Sequence, residues 1–285
     1  MKIKGHQSFY IRRGWIHKGI KKILDNPYIF NDKSIVLTDE FGIGSNMVTA
    51  LKYWMNTLGL MEKIKSGNEY RSELSQLGYL IWSKDPYLEK IETWELLHYK
   101  LVINEEMATT WNWFFNHYNG IKFSKENLIK NLTVYINKIY QKEIAERSIK
   151  DDITCLINTY IDREITIPDE NIESPFTQLG LIKTIGKQNG ETIYQKRAIK
   201  ELNVYLAYYI LKETFKNTKS INLKDVINGE NSIGRIYNLD SYKIMSTLEN
   251  MKNKGLINII RTGGLDYINL NEEVDEFKLL EKIYS

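Results

Sequence analysis

Two stretches of this chain repeat one arrangement: a helix-period run, a glycine at its end, and two short β-prone runs about a turn. They are "SNMVTALKYWMNTLGLMEKIKSGNEYRSEL", residues 45–74, and "SYKIMSTLENMKNKGLINIIRTGGLDYINL", residues 241–270. In the first, Val48, Leu51, Met55 and Leu58 share one helix face, flanked by Met47 and Trp54; in the second, Ile244, Leu248 and Met251 do so. Ser45 or Asn46 is placed to cap the first helix and Asp240 or Ser241 the second. Gly59 and Gly255 stand where a glycine ends a helix by turning left-handed. Ser66-Gly67-Asn68 and Thr262-Gly263-Gly264 then turn the hairpins. A short helix and glycine turn within "IVLTDEFGIG" precede the first unit, and a short helix from Leu223 to Ile227 precedes the second. This predicts a mainly α fold with an N-terminal winged helix, a helical middle and a C-terminal winged-helix-like domain with short β-hairpins.

A chain of 285 residues with 42% apolar content has room for two or three domains. We place them at 1–85, 86–170 and 171–285. The middle holds "TWELLHYKLVINEEMATTWNWFFNHYNGI" and "KENLIKNLTVYINKIYQKEIAERSIKDDITCLINTYIDR", enough for three or four helices. The turn-rich "IPDENIESPFTQLGL", with Pro168 and Pro175, closes it. No run is long and apolar enough for a membrane span and no apolar signal core follows the first lysines, so a cytoplasmic protein is expected. The single cysteine, Cys155, predicts a small buried apolar residue rather than a disulfide or a cysteine-rich zinc site.

Charge is distributed unevenly. Residues 1–24 carry seven cations (Lys2, Lys4, Arg12, Arg13, Lys18, Lys21, Lys22) and no acid, whereas the whole chain sums to only +3. A local positive surface attracts polyanions over about a Debye length, roughly 10 Å at moderate salt. Ile16, Ile20 and Ile23 recur at helical spacing between Arg13 and Leu24, so that helix packs one side and offers lysines on others. In the helix after Gly44, the side opposite the apolar stripe reads Asn46, Thr49, Tyr53 and Asn56 with Lys52 at its border, without an acid. Amides pair bidentately with adenine and lysine reaches guanine or phosphate, so this face suits a major groove. The candidate DNA-binding residues are therefore Arg12, Arg13, Lys18, Asn46, Thr49, Lys52, Tyr53 and Asn56. An ordinary solvated helix face is the alternative. The second helix carries Glu249, which would repel phosphate, and so suits packing or partner contact.

Other chemistry is thinner. Glu95 and His98, three residues apart, suit a carboxylate–imidazole pair or two metal ligands, although such a pair is more often a surface contact. Trp111, Phe115 and Tyr118 fall at helical spacing and read as a core stripe rather than a base-stacking platform. Gly42-Ile43-Gly44-Ser45 lacks the lysine and the leading strand of a phosphate loop.

The ordered set "GHQSF", "RRGWIHKG", "FGIGSNMVTALKYWMNTLGL", "LGYLIWSKDPYLE", "TWELLHYKLV", "ATTWNWFF" and, more loosely, "SPFTQLGLI" resembles the bacterial family catalogued as the domain of unknown function numbered four thousand and seven. Trp94-Glu95 stands where that family favours an apolar residue before tryptophan, and Ser45 where lysine is common. The resemblance implies a place in bacterial DNA phosphorothioation and phage defence. Double-stranded DNA, read from the residues, and a second copy of the chain are expected partners; those the resemblance implies are sulfur-transfer proteins similar to a PAPS reductase. It also implies a DNA nickase, which would use a divalent metal, Mg or Mn, to assist displacement at phosphorus. His6, Asp39, Asp85, Glu95 and His98 lie in or beside the shared stretches and are the candidate catalytic residues; no compact ligand motif joins them. A non-catalytic DNA-binding adaptor and a transcriptional regulator are the competing readings.

Overall fold

In the computed structural model, residues 1–67, 69–161, 173–216, 218–262, 265–271 and 275–285 are described. The expected turn residues Asn68, Gly263 and Gly264, and Pro168 in the boundary loop, lie outside them. Among the described residues the fold is mainly α with three small antiparallel sheets. None of its described helices is long and apolar enough to cross a membrane.

The first segment builds four helices and a hairpin. Helix α1 (Trp15–Asp25) buries Trp15, Ile16, Gly19, Ile20 and Ile23, the stripe its period requires. Helix α2 (Leu37–Phe41) leads through Gly42, left-handed at φ 61°, into α3 (Ser45–Thr57). The cap differs from the sequence expectation. Gly44 is the N-cap, in extended conformation and without a side-chain bond, so Ser45 and Asn46 already lie in the first turn. Gly59, at φ 69°, ends the helix as expected. Strands β1 (Met61–Ser66) and β2 (Glu69–Leu74) pair from Met61↔Leu74 to Ser66↔Glu69. Helix α4 (Gln76–Lys84) follows, capped by the Ser75 hydroxyl, which accepts from Gly78 N at 3.0 Å. A Cβ at Gly78 would stand 2.3 Å from Leu60 O, so only glycine lets α4 approach the hairpin this closely.

Among its described residues the middle holds four helices: α5 (Ile91–Ile103), α6 (Thr109–Asn112), α7 (Lys125–Tyr140) and α8 (Glu146–Tyr160). Helix α5 is buried almost all round. Helix α6 runs into a wide π-type turn, Trp113–His117, whose aromatic residues Trp113, Phe114 and Phe115 are all buried. The aromatic run is thus core. That turn leaves carbonyls to be satisfied elsewhere, and Lys196 Nζ donates to Phe114 O at 2.5 Å and Tyr118 O at 2.7 Å. Burial lowers the Lys196 ammonium to about 7. Cys155 is buried, as expected of a small apolar residue.

Strands β3 (Lys122–Phe123), β4 (Ile182–Gln188) and β5 (Glu191–Lys196) form a sheet in the order β3-β5-β4. Asn189 and Gly190, both at positive φ, make the tight β4–β5 turn. A single turn of 3₁₀ helix, Pro175–Leu179, precedes them. The last segment runs α9 (Val204–Thr214), β6 (Ile221–Asn222), α10 (Leu223–Asn228), α11 (Ile233–Ile236), α12 (Ser241–Asn253), β7 (Ile257–Thr262), β8 (Leu265–Leu270) and α13 (Glu276–Lys282). Asp240 caps α12 through Lys243 N, and Gly255, at φ 70°, ends it. Buried apolar residues of all three segments join one continuous core.

Candidate nucleic-acid interface

The outer edge of α3 carries Asn46 and Thr49, both exposed. Lys52 and Asn56 continue it half-buried. Lys52 Nζ donates to Phe30 O at 3.0 Å, and Asn56 Nδ2 donates back to Lys52 O at 2.8 Å. Burial, and secondarily Lys63 on β1, lower the Lys52 ammonium. Lys63 and Lys65 of the hairpin are exposed; Lys63, which acts on Lys52, lies over the Tyr70 ring at 4.0 Å.

Tyr53 does not belong to this edge, which corrects the outward placement expected from the sequence. It is 5% exposed and its hydroxyl donates to Met107 O at 2.7 Å, so it faces the helical middle. The reason is that α3 is covered on two sides. Besides α1, the chain's first residues lie across it: Trp54 Nε1 donates to Phe9 O at 3.0 Å. A single apolar stripe in the sequence does not reveal that second cover.

Most of the opening cations are engaged within the protein. Lys4 pairs with Asp151 at 2.6 Å, Lys22 with Glu40 at 2.6 Å and Arg13 with Glu173 at 3.6 Å. Lys18 Nζ donates to Phe41 O at 2.9 Å, Lys2 lies over Tyr53, and Arg12 lies half-buried over the Phe9 and Trp15 rings. The cationic ridge is accordingly narrower than the charge run suggests. Arg13, exposed and in a long surface pair of small worth, stays available to an outside anion.

The five catalytic candidates do not meet. His6 is fully buried against Trp54, Trp111 and Tyr53, with Nε2 2.9 Å from Asp152 Oδ1. Burial pulls its imidazole down, but the neighbouring Cys155 sulfur and the Asp152 carboxylate outweigh that and raise it to about 10. Asp85 is buried and spends its carboxylate on the start of α5, accepting from Glu89 N, Lys90 N and the Thr93 hydroxyl. Asp39 is exposed on α2. Glu95 and His98 point to different partners. His98 Nε2 donates to Ile236 O, which leaves Nδ1 to accept from the Tyr160 hydroxyl, both at 2.8 Å. Burial lowers that imidazole to about 4, so it is neutral. Glu95 Oε2 accepts from Asn203 N at 3.2 Å, and burial raises its carboxyl to about 8. Among the described residues no three His, Cys, Asp or Glu side chains gather to hold a metal ion, so these five do not fit a divalent cation.

Asp152 is absent from the residues that the sequence singles out. The signal for it is an acid on the apolar stripe of α8, beside Ile149, Ile153 and Leu156.

The raised Glu95 carboxyl gives a signed expectation. Its folded value, about 8, lies above the ordinary 4.5, so the folded state holds the proton more tightly. Its contribution to stability is complete below about 4.5 and is lost as pH rises through about 8. Glu95→Gln is expected to flatten that decline in thermal melts run from pH 5 to 9. A slope equal to the wild type's would show Glu95 ionised throughout.

The family described as "Protein of unknown function (DUF4007)" matches residues 3–284. A solved structure described as "Magnesium ion-bound SspB crystal structure" superposes with a TM-score of 0.84 at 22% identity, covering 99% of this chain and 86% of that one. A second, "SspB crystal structure", superposes at 0.83 with the same identity and coverage. These likenesses show a shared fold. No curated protein matches the chain.

Proposed function

Since the chain belongs to the DUF4007 family, matched over nearly its whole length, we propose that it is the DNA-binding component of a bacterial DNA phosphorothioation system. Its fold-level likeness to the SspB chains supports that setting. In this reading residues 1–85 act as a winged helix. Helix α3 enters the major groove with Asn46 and Thr49, and the β1–β2 hairpin lies along the backbone. The observation that carries the reading is the acid-free, exposed edge of α3, bordered by Lys52 with Lys63 of the hairpin near it. Residues 86–170 and 171–285 are the helical and second winged-helix-like units, and sulfur-transfer proteins are the partners they would serve. Mobility shift with duplex DNA at low salt tests the binding.

A second reading, DNA nicking, is favoured by one observation: one of the structures sharing this fold was solved with magnesium bound. The chain's own five candidates do not converge on an ion, so a nicking centre would draw its ligands from other residues. Relaxation of supercoiled plasmid by the full chain with Mg or Mn separates the two. Nicked circles establish the enzyme, and intact supercoils with duplex binding retained establish the adaptor.

A further inference from the structure

Helix α12 carries a second polar face. Tyr242, Ser246, Asn250 and Asn253 follow one another at steps of four, four and three residues along one side. Tyr242 is 83% exposed. That side faces the segment 199–204 leading into α9, and together they line an open groove of about 790 Å³. Lys243 Nζ crosses between the walls, donating to Lys200 O at 3.1 Å and also to Ile199 O. Lys200, Lys243 and Lys254 line the groove against a single acid, Glu201. Lys282 adds a further cation nearby: it and Lys254 bracket the Tyr205 ring at 5.7 and 5.2 Å.

On sequence alone, Glu249 argues against phosphate binding by this helix. In the structure Glu249 is not part of the groove. It pairs with Arg261 of β7 at 3.6 Å and Lys252 at 3.8 Å, so its charge is met by two cations on the hairpin side.

We propose that this groove binds single-stranded DNA, with an unpaired base stacked on Tyr242, phosphates beside the lysines, and base edges within reach of Asn250 and Asn253. A duplex is disfavoured because the segment 199–204 stands as a wall along one side of this face of α12, whereas a recognition helix must protrude into the major groove. A flexible strand can lie along such a channel, and an exposed aromatic ring with flanking cations is the combination that holds unpaired bases without sequence preference. The choice of DNA as the polymer rests on the function proposed above; the groove's charge and its tyrosine do not.

Fluorescence anisotropy of the full chain with labelled oligo-dT tests the site, with a duplex probe run in parallel. Tyr242→Ala should weaken oligo-dT binding about fivefold or more while leaving duplex binding unchanged, since stacking on one aromatic side chain carries that much. Tyr242→Phe, which keeps the ring, should bind as the wild type does, and Asn46→Ala should leave oligo-dT binding unchanged. Absence of oligo-dT binding, or equal binding by Tyr242→Ala and wild type, would overturn the proposal. Failure of duplex binding alone, with the Tyr242→Ala loss still seen for oligo-dT, would sink the α3 reading and leave this groove standing.

Discussion

Replacing Asp152 with alanine should unfold this protein more readily than any surface change, by about 3–5 kcal/mol, the usual cost of leaving one partner of a buried ion pair alone. Asp152 is 2% exposed and serves three donors at once: His6 Nε2 at 2.9 Å, Lys4 N at 2.5 Å and the Thr110 hydroxyl at 2.6 Å. It fastens the first residues of the chain to α6 and α8, and those residues form the second cover of α3. The pair also has a pH signature. His6 is raised above the ordinary 6.5 to about 10, so its contribution is complete below about 6.5 and is lost as pH rises through about 10. Urea denaturation at pH 7 and pH 10 should show a gap between wild type and Asp152→Ala that narrows at the higher pH. A gap that is the same at both pH values would mean that His6 is neutral in the folded protein.

The second large effect concerns DNA. Asn46→Ala should cost about 1–3 kcal/mol at one base pair and little at others, because a side-chain amide reads a base edge. Replacing Arg13, Lys63 and Lys65 with alanine should act differently, weakening binding alike on all sequences and reducing the slope of log affinity on log salt by about 1 for each phosphate left without its cation. Tyr53→Phe provides the contrast. It removes a buried hydroxyl that bonds Met107 O and should lower stability while sparing DNA affinity. Titrations of matched and single-mismatch duplexes at several salt concentrations separate these outcomes.

Local structure is legible where one residue type meets one backbone demand. Gly59 and Gly255 adopt the left-handed turn expected of them, and the α1 stripe of Ile16, Ile20 and Ile23 is buried as its spacing requires. The Asn189-Gly190 hairpin carries an equally plain signal, an Asn-Gly pair between short β-prone runs, yet it is not among the hairpins expected from the sequence. The candidate site is harder for a physical reason. His6 and Asp152 lie 146 residues apart, so no local pattern joins them. Tyr53 reads as outward-facing because a helical wheel shows one apolar face and cannot show a cover supplied by residues 1–11. The charge run misleads for a related reason: a lysine's sequence neighbours do not say that the Lys18 ammonium ends on Phe41 O or that of Lys22 on Glu40.

The claim on which the account rests is that the outer edge of α3 sits in the groove of duplex DNA. Binding of a duplex library by the wild type and by Asn46→Ala, read by sequencing the retained fraction at low and moderate salt, tests it most directly. The account predicts salt-sensitive retention by both proteins and a changed base preference at one position for the variant. Retention of nothing at low salt, or identical preferences for the two proteins, would contradict it.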